Sequence, residues 1–410
     1  MSIPRALLLL AACGTAVAEV LKVGGIYNSG IGLRGKAAFD LWATWASSSS
    51  NTKGFTASIT WVEYTDDAAL TASVEQFVRD GVHAIIPPYT SGLTKKTVDA
   101  VPSGSTIPIL AWGGASDSIF TTNCVGRKCF GGFTVASKYL NPSLTAVQAA
   151  AGGAITASII TNSNGFSASV TQGAKMFIDS TNDISLAKEV TLDAYKSNLT
   201  EGDIAKIATV IDAAPDVAVV VGHPGDVEDA VTRVRSDGKY KPKAVIAVNA
   251  FSTPSNYDDA TMMDGVIMPE QWDENNQADS IVGWTPAAFR EALGSEASYH
   301  SASAGGLAVA MTHAIVAGDD ATRMDTIAEK MAALQPTQTF YGELSWDSQG
   351  MLRKPMYGKQ KQGSDYVIVA PTGSIDYPLH ETASISGANR AATLAVIAFV
   401  VGPLFGQQAL

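Results

Sequence analysis

Short apolar runs of strand length alternate with segments of helical periodicity in the first part of the chain. The strand-like runs are Leu21–Tyr27, Ser58–Tyr64, His83–Pro87 and Ile107–Trp112, and the helical segments between them are Leu33–Ser47, Ala68–Asp80 and Leu93–Ala100. Nearly continuous apolar strands separated by helices are typical of a parallel sheet that helices cover on both faces. The pattern therefore predicts an α/β lobe here.

The alternation begins again after Tyr139-Leu140-Asn141-Pro142, where the proline interrupts the pattern. The predicted elements that follow are strands at Ile155–Thr161, Lys188–Leu192, Val217–Gly222, Ala244–Asn249 and Val266–Met268, and helices at Phe166–Asp179, Glu201–Ala213 and Asp226–Ser236. This is a second sheet of the same kind. We therefore predict an α/β fold of two Rossmann-like lobes with parallel sheets joined by hinge crossovers.

The pattern changes after Met268-Pro269. Helical segments at Ala287–Leu293, Ala304–Val316 and Asp325–Leu334 follow one another, and extended segments return at Phe340–Trp346 and Tyr366–Ala370. A helical block that returns to the first lobe, and a final strand, predict more than one crossing between the lobes. The predicted divisions are a signal peptide at 1–18, lobe 1 at 19–141, lobe 2 at 142–270, a return to lobe 1 at 271–346, a final segment of lobe 2 at 347–371, a linker at 372–386 and a hydrophobic tail at 387–410.

Length and charge narrow the class of protein. The chain has 410 residues, 46% of them hydrophobic, which suits two domains with sizeable cores. The formal net charge of -11 makes nucleic acid and anionic membrane surfaces unfavourable partners.

The amino terminus has the features of an export signal. A basic start at Met1–Arg5 precedes the apolar run Ala6–Ala12, and Ala16-Val17-Ala18 supplies small residues for cleavage before Glu19. The segment Leu10-Ala11-Ala12-Cys13 also fits a bacterial lipoprotein cleavage box, in which case Cys13 would carry lipid. Both alternatives place the mature protein outside the cytoplasm.

The carboxyl terminus carries a second apolar run, Ala391–Phe405, which is short for a membrane-spanning helix. The small residues Ser386-Gly387-Ala388 precede it. Small residues, a polar spacer and an apolar tail are the pattern of a glycolipid (GPI) attachment signal, with Ser386 as the attachment site. A plain membrane tail is the alternative.

Cysteine use agrees with export. After signal removal Cys124 and Cys129 remain, and in an oxidising compartment they are expected to close a small disulfide loop. A metal site needs more ligands than this pair supplies, so no metal is predicted. Asn198-Leu199-Thr200 is a glycosylation sequon, which makes Asn198 a predicted glycosylation site.

The sequence contains no convincing motif of a catalytic site. Gly30-Ile31-Gly32-Leu33-Arg34-Gly35 matches a dinucleotide fingerprint, but the acidic residue expected about 20 positions later is missing. The interpretation we prefer is a glycine-rich turn that faces a cleft. The chain has neither a Gly-x-Ser-x-Gly elbow nor a phosphate loop, and its five histidines lack zinc-binding spacing. Asp66-Asp67 is expected to cap a helix. We predict no catalytic residue and no cofactor.

Two loops have the features of a binding site. In the loop Pro88–Thr94, a hydroxyl residue caps a helix whose unpaired N–H groups favour a carboxylate or another negative group. In the loop Trp112–Asp117, two glycines allow close backbone approach and Ser116 adds a hydroxyl. Both loops follow the carboxyl ends of strands in one sheet, which is where open α/β sheets bind ligands.

Five segments in order resemble the type I periplasmic binding proteins of the leucine/isoleucine/valine class. The segments are VEYTDDAALTASVEQFVRDGVHAIIPPYTSGLTKKTVDAV and STIPILAWGGASDSIF in the first lobe, SIITNSNGFSASVTQGAKMF at the start of the second, DGVIMPEQWDE at the second crossing and FYGELSWDSQGMLRKPMYGKQ at the final return. The resemblance covers roughly residues 20 to 371. It implies a hinged two-lobe fold without catalytic residues.

The resemblance also implies the ligand contacts. Ser91, Gly114 and Ser116 are expected to hold the carboxylate end of the ligand, and Phe166 takes the place of an aromatic cleft residue from the second lobe. The further expected contacts are Thr90, His223 and Phe251. Members of the family that bind amino acids usually place an acidic residue in the loop after the strand corresponding to Ala244–Asn249. Here that loop reads Ala250-Phe251-Ser252-Thr253, which departs from the pattern.

The function expected from the sequence is capture of a small polar ligand, such as an amino acid or an amide, outside the cell. The expected partner is a membrane transporter that receives the ligand. One alternative is the ligand-sensing ectodomain of a receptor system, which would need a second subunit for signalling. Another alternative is an enzyme on the same scaffold.

Overall fold

A computed structural model describes residues 19–193, 199–250, 263–275, 281–318 and 324–371. Several predictions fall on other residues: the signal peptide and Cys13, glycosylation at Asn198, the contact Phe251, the linker, the apolar tail and attachment at Ser386. They lie outside the described residues and stay predictions.

The first sheet has five parallel strands in the order β2-β1-β3-β4-β5. They are β1 (Glu19–Tyr27), β2 (Phe55–Glu63), β3 (Ala84–Ile86), β4 (Pro108–Ala111) and β5 (Lys128–Gly131). Its helices are α1 (Ile31–Ala46), α2 (Asp67–Arg79) and α3 (Ser91–Ala100), with a short π-helix at Ile119–Asn123. Ile85 and Ile86 belong to different apolar clusters because successive strand residues face opposite sides. Helices therefore cover both faces of the sheet.

A second set of elements follows a 3-10 turn at Ala136–Lys138. Its strands are β6 (Ile155–Asn162), β7 (Ile184–Leu192), β8 (Val217–Val220), β9 (Ala244–Ala247) and β10 (Ile267–Glu270). Its helices are α4 (Asn141–Ala151), α5 (Gly165–Asp179), α6 (Glu201–Asp212) and α7 (Pro224–Ser236). The five strands pair in parallel, as the pattern predicts.

Three helices and a small ribbon follow, and they pack against the first sheet. They are α8 (Pro286–Leu293), α9 (Tyr299–Val316), α10 (Ile327–Ala333), β11 (Thr337–Thr339) and β12 (Gly342–Leu344), with a 3-10 turn at Gly294–Glu296. Helix α9 is buried on nearly every side. Trp42 of α1 donates a hydrogen bond from its indole nitrogen to the Thr312 hydroxyl at 2.9 Å. The contact attaches α9 to the first lobe.

The chain then completes the second sheet with β13 (Tyr357–Gln362) and β14 (Asp365–Ala370). The full order is β14-β13-β10-β9-β8-β6-β7, and β13 is antiparallel to both of its neighbours. The prediction of an α/β fold with two lobes is confirmed. The second sheet is mixed rather than purely parallel, because the returning chain adds its last two strands at one edge.

Hydrogen bonds join the three segments that cross between the sheets. The side-chain oxygen of Gln271 accepts from the Thr134 backbone nitrogen at 3.1 Å, and its nitrogen donates to the Thr134 carbonyl at 3.3 Å. The Thr134 hydroxyl donates to the Lys354 carbonyl at 2.6 Å. These three residues therefore hold the crossings side by side as a single hinge.

Candidate ligand-binding site

A cavity of about 280 Å³ lies between the two sheets, at the carboxyl ends of their parallel strands. The first lobe supplies residues after β3 and β4, and the second lobe supplies residues after β6, β8 and β9. The lining consists of Tyr89, Thr90, Ser91, Gly92, Lys95, Gly113, Ala115, Phe133, Tyr139, Asn164, Gly165, Phe166, His223, Asn249 and Tyr299. This is the edge at which open α/β sheets bind ligands.

The start of α3 forms one side of the cavity. The Thr90 side chain caps the helix by accepting a hydrogen bond from the Leu93 backbone nitrogen at 3.2 Å. Thr90 has a φ of 108°, a backbone conformation that β-branched residues rarely adopt. Such strain is concentrated at ligand sites, where the surrounding structure enforces it.

Ser91 connects the two loops that the sequence singles out. Its hydroxyl oxygen accepts hydrogen bonds from the backbone nitrogens of Ala115 at 3.1 Å and Ser116 at 3.0 Å. Both lone pairs of the hydroxyl are therefore occupied, and only its proton is left to donate. Ser91 lines the cavity as a hydrogen-bond donor.

Gly114 and Ser116 lie behind the cavity wall. A Cβ on Gly114 would approach atoms of Ile119 and Thr94 to 2.7 Å, so the glycine allows close packing of its loop on α3. The Ser116 hydroxyl lies 3.2 Å from the hydroxyl of Ser169, which belongs to α5 in the other lobe. The two residues expected to touch a ligand thus support the wall and connect the lobes.

Phe166 and His223 are placed on the cavity as the sequence predicts, at the starts of α5 and α7. Four further rings complete an aromatic wall that sequence reasoning missed: Tyr89, Phe133, Tyr139 and Tyr299. Ring centroids are 5.4 Å apart for Tyr139 and Phe166, and 5.7 Å apart for Phe133 and Tyr299. Tyr89 lies next to Thr90 in the loop Pro88–Thr94, so the sequence contained a signal that could have identified it. Phe133, Tyr139 and Tyr299 lie far from that loop in the sequence.

His300 supports this wall from behind. Its ring stacks on Tyr299 with centroids 3.8 Å apart, and its Nε2 lies 3.1 Å from the Tyr89 hydroxyl. Burial, together with a smaller contribution from the positive charge of Arg34, lowers the pKa of His300 to about 3. The imidazole is therefore neutral near pH 7 and serves to position two cavity tyrosines.

A hydrogen bond spans the cavity from one lobe to the other. The Tyr299 hydroxyl, at the start of α9, donates to the side-chain oxygen of Asn249 at 3.1 Å. The Asn249 side-chain nitrogen in turn donates to the Gly222 carbonyl at 2.9 Å. Asn249 has a φ of 64°, in the left-handed region that asparagine tolerates better than most residues. The lobes are therefore in direct contact around the cavity.

Lys95 is the one lysine among the described residues that line the cavity, and these residues include no arginine, aspartate or glutamate. It is half-buried, and within the described part of the chain it makes neither an ion pair nor a hydrogen bond. The neighbouring Lys96, by contrast, is paired: its ammonium lies 2.6 Å from a carboxylate oxygen of Asp67 on the outer surface. The cavity therefore has an unpaired positive charge.

The glycines of the dinucleotide-like motif have a packing role. A Cβ on Gly35 would approach the Trp112 ring to 2.4 Å, and one on Gly32 would approach the Asn28 side chain to 2.5 Å. The motif contributes nothing to the cavity lining. Arg34 of the motif lines a neighbouring groove together with Glu270 and Lys359. The expectation that this turn faces a cleft therefore stays a prediction, while its glycines let α1 pack closely on Trp112.

Two predictions from residue chemistry are confirmed. Cys124 and Cys129 form a disulfide, and Asp66 caps α2 by accepting from the Ala69 backbone nitrogen at 2.8 Å. Within the described ranges, His, Cys, Asp and Glu side chains do not come together in any group able to hold a metal ion. The helices of the same ranges include none with the length and apolarity needed to cross a membrane.

A scan against protein-family models and a search of curated protein sequences find no match. Solved structures do match. An ABC transporter substrate-binding protein from Desulfitobacterium hafniense superposes with a TM-score of 0.70 at 14% identity, over 85% of this chain and 100% of that one. The branched-chain amino acid transporter substrate-binding protein LivJ from Streptococcus pneumoniae, in complex with isoleucine, has a TM-score of 0.68 at 15% identity, over 86% and 100%.

A solute-binding protein of an ABC transporter from R. palustris, in complex with benzoate, has a TM-score of 0.65 at 15% identity. The match covers 86% of this chain and 97% of that one. Similarity at this level of identity establishes the fold. The chain has the two-lobe fold of the type I periplasmic binding proteins.

Proposed function

We propose that this protein is a non-catalytic solute-binding protein, which captures a small polar ligand between its lobes. The observation that carries the proposal is the cavity itself, because both sheets contribute strand ends to it. A ligand held there touches both lobes at once and stabilises the closed arrangement over any open one. The three crossings joined through Thr134 and Gln271 supply the hinge.

The candidate contacts support binding of a ligand with a negative or carbonyl end. The Ser91 hydroxyl and the amino end of α3 both offer donors to the cavity. Phe166 covers the cavity from the other lobe. The structurally similar proteins that were solved with isoleucine and benzoate hold ligands of comparable size, which supports a small carboxylate or amide as the ligand class.

The expected location is outside the cytoplasm. The amino-terminal signal supports export, and the GPI pattern at Ser386 supports attachment to the outer face of a membrane. The partner in this proposal is a membrane transporter that receives the ligand from the closed lobes. A signalling subunit is the alternative partner, and reconstitution with either membrane protein distinguishes the two.

Thermal-shift screening of the exported protein against amino acids, amides, small carboxylates and sugars tests the proposal. A ligand present at 100 times its Kd adds about 2.7 kcal/mol of stability by mass action. Phe166→Ala is expected to weaken every compound that binds the cavity. Met176→Ala, an exposed change on the same helix, is the matched control and is expected to leave binding unchanged. Stabilisation by a compound that Phe166→Ala leaves intact would place binding elsewhere.

A further inference from the structure

We infer that the ligand is a small aromatic carboxylate that carries no ammonium group. The inference rests on the proposed function, since it names the ligand class of the same cavity. It is carried by four features of the described lining: the charge of Lys95, the hydrogen-bonding state of Ser91, the absence of aspartate and glutamate, and the aromatic rings.

Lys95 and Ser91 occupy the same face of α3. They are four residues apart, which places them one helical turn from each other, and both line the cavity. The Ser91 oxygen already accepts two backbone hydrogen bonds, so its hydroxyl proton is the one atom that it can offer a ligand. An ammonium and a hydroxyl donor side by side match the two oxygens of a carboxylate.

The described lining offers nothing that would neutralise a ligand ammonium. No aspartate or glutamate is among those residues, although the chain as a whole has a net charge of -11. The two side-chain amide oxygens of the lining are neutral, and each already accepts one hydrogen bond, Asn249 from Tyr299 and Asn164 from the Ser167 backbone nitrogen. Each has at most one lone pair left for a ligand and no charge to offer an ammonium. A buried ammonium without a partner is strongly disfavoured, and Lys95 would repel it. A zwitterion therefore fits this cavity poorly.

The remaining wall suits a flat apolar ring. Five aromatic side chains line a volume of about 280 Å³. A cavity of about 150 Å³ is enough for benzene, so the space here accommodates one ring with a carboxylate and a small substituent. The Tyr139 and Phe166 rings meet edge to face on the second-lobe side, with centroids 5.4 Å apart, and Tyr89 of the first lobe lines the same cavity. A ring placed against them completes an aromatic cluster and favours closure.

Calorimetric titration with matched probes tests the inference on the exported protein. Benzoate supplies both ring and carboxylate, L-phenylalanine adds an ammonium, benzyl alcohol removes the charge and acetate removes the ring. We expect benzoate to bind at least roughly tenfold more tightly than each of the other three, because a charge-assisted hydrogen bond contributes about one to two decades of affinity.

Substitutions of Lys95 test the contact itself. Lys95→Met is expected to weaken benzoate roughly ten- to a hundredfold while leaving benzyl alcohol unchanged, and Lys95→Arg to retain most of the affinity. Lys96→Met is the matched control, because Lys96 pairs with Asp67 outside the cavity and its loss leaves the lining intact. Circular dichroism of each variant confirms that it is folded.

The outcomes separate the inference from the proposed function. Tighter binding of L-phenylalanine than of benzoate, or benzoate affinity that Lys95→Met does not change, overturns the aromatic carboxylate and leaves the solute-binding function standing. If no compound of the four probes and the wider screen stabilises the protein, both the ligand class and the proposed function are rejected.

Discussion

The hydroxyl oxygen of Ser91, at the start of α3, accepts a hydrogen bond from the backbone nitrogen of Ser116 at 3.0 Å. It accepts a second from Ala115 at 3.1 Å. One side chain thus fixes the loop after β4 to the loop after β3, and the cavity wall is built from both. Removing this hydroxyl therefore has consequences for the fold as well as for the ligand.

Ser91→Ala is expected to lower both stability and affinity. It leaves two backbone N–H groups without an acceptor, at a cost of about 1–3 kcal/mol, and deletes a donor to the ligand. Ser116→Ala removes a hydroxyl that lies behind the wall, so its effect on benzoate affinity is expected to be the smaller. Urea denaturation and calorimetry measure both quantities. Equal loss of affinity in the two variants would show that Ser116 touches the ligand directly.

Tyr299→Phe is expected to weaken closure of the lobes while preserving the ring that lines the cavity. The change deletes the hydroxyl that donates to Asn249 across the cavity at 3.1 Å. The loss of one neutral hydrogen bond is worth about 0.5–1.5 kcal/mol, or roughly a three- to tenfold weaker affinity. Small-angle scattering with and without benzoate reports the fraction of closed protein.

The control for this change is Tyr64→Phe, which deletes a hydroxyl bonded to Asp67 on the surface of the first lobe. It leaves the contacts between the lobes in place, so scattering and affinity are expected to match the parent. If Tyr299→Phe also matches the parent in both measurements, the hydrogen bond to Asn249 does not contribute to closure.

Lys354 is expected to make stability depend on pH above neutrality. Its ammonium lies in the hinge over the rings of Tyr341 and Tyr357, at 4.6 and 4.8 Å from their centroids. Burial lowers its pKa from 10.5 to about 7, although the charges of Glu270 and Asp273 act in the opposite direction. Between these two values the unfolded chain holds a proton that the folded chain has released.

The free energy of unfolding is therefore expected to gain a rising contribution from about pH 7 to pH 10, with none of this slope below pH 7. Lys354→Met is expected to remove that slope, and Lys96→Met, on the exposed face of α3, to retain it. Denaturation at a series of pH values measures the difference. An unchanged slope in Lys354→Met would assign the pH dependence to other groups.

Replacing both Cys124 and Cys129 by alanine is expected to lower stability without changing affinity. The disulfide closes a loop with a sequence separation of 5, for which chain entropy predicts about 2 kcal/mol. The two residues lie outside the cavity lining, so benzoate titration is expected to be unaffected. Thiol labelling of the native parent is expected to find no free thiol in this loop; two reactive thiols there would refute the bond.

Local patterns predicted most of the strands and helices. Continuous apolar runs predicted β1, β4, β6, β8 and β9, because buried parallel strands need apolar side chains on both faces. The three strands that the pattern missed, β5, β11 and β13, are polar or short. In β13 the Gln360 side-chain nitrogen donates to the Gly265 carbonyl at 3.0 Å, and the Lys361 ammonium donates to the Gly363 carbonyl at 2.6 Å. These buried polar side chains have hydrogen-bond partners, so the strand is stable without the alternation of apolar and polar residues that predicts a strand from the sequence.

The amino-acid sequence was enough to predict the fold class, the loop that contains Thr90 and Ser91, and the disulfide, because each depends on neighbouring residues or on local chemistry. The choice of side chains that line the cavity follows from the packing of segments that are distant in the sequence. Phe133, Tyr139 and Tyr299 come from crossing segments and from α9, and nothing in their local sequence points to a cleft. For Ser116, the loop was predicted correctly but the direction of the side chain was not. Its hydroxyl points toward Ser169 of the other lobe, because the approach of the two lobes sets that direction.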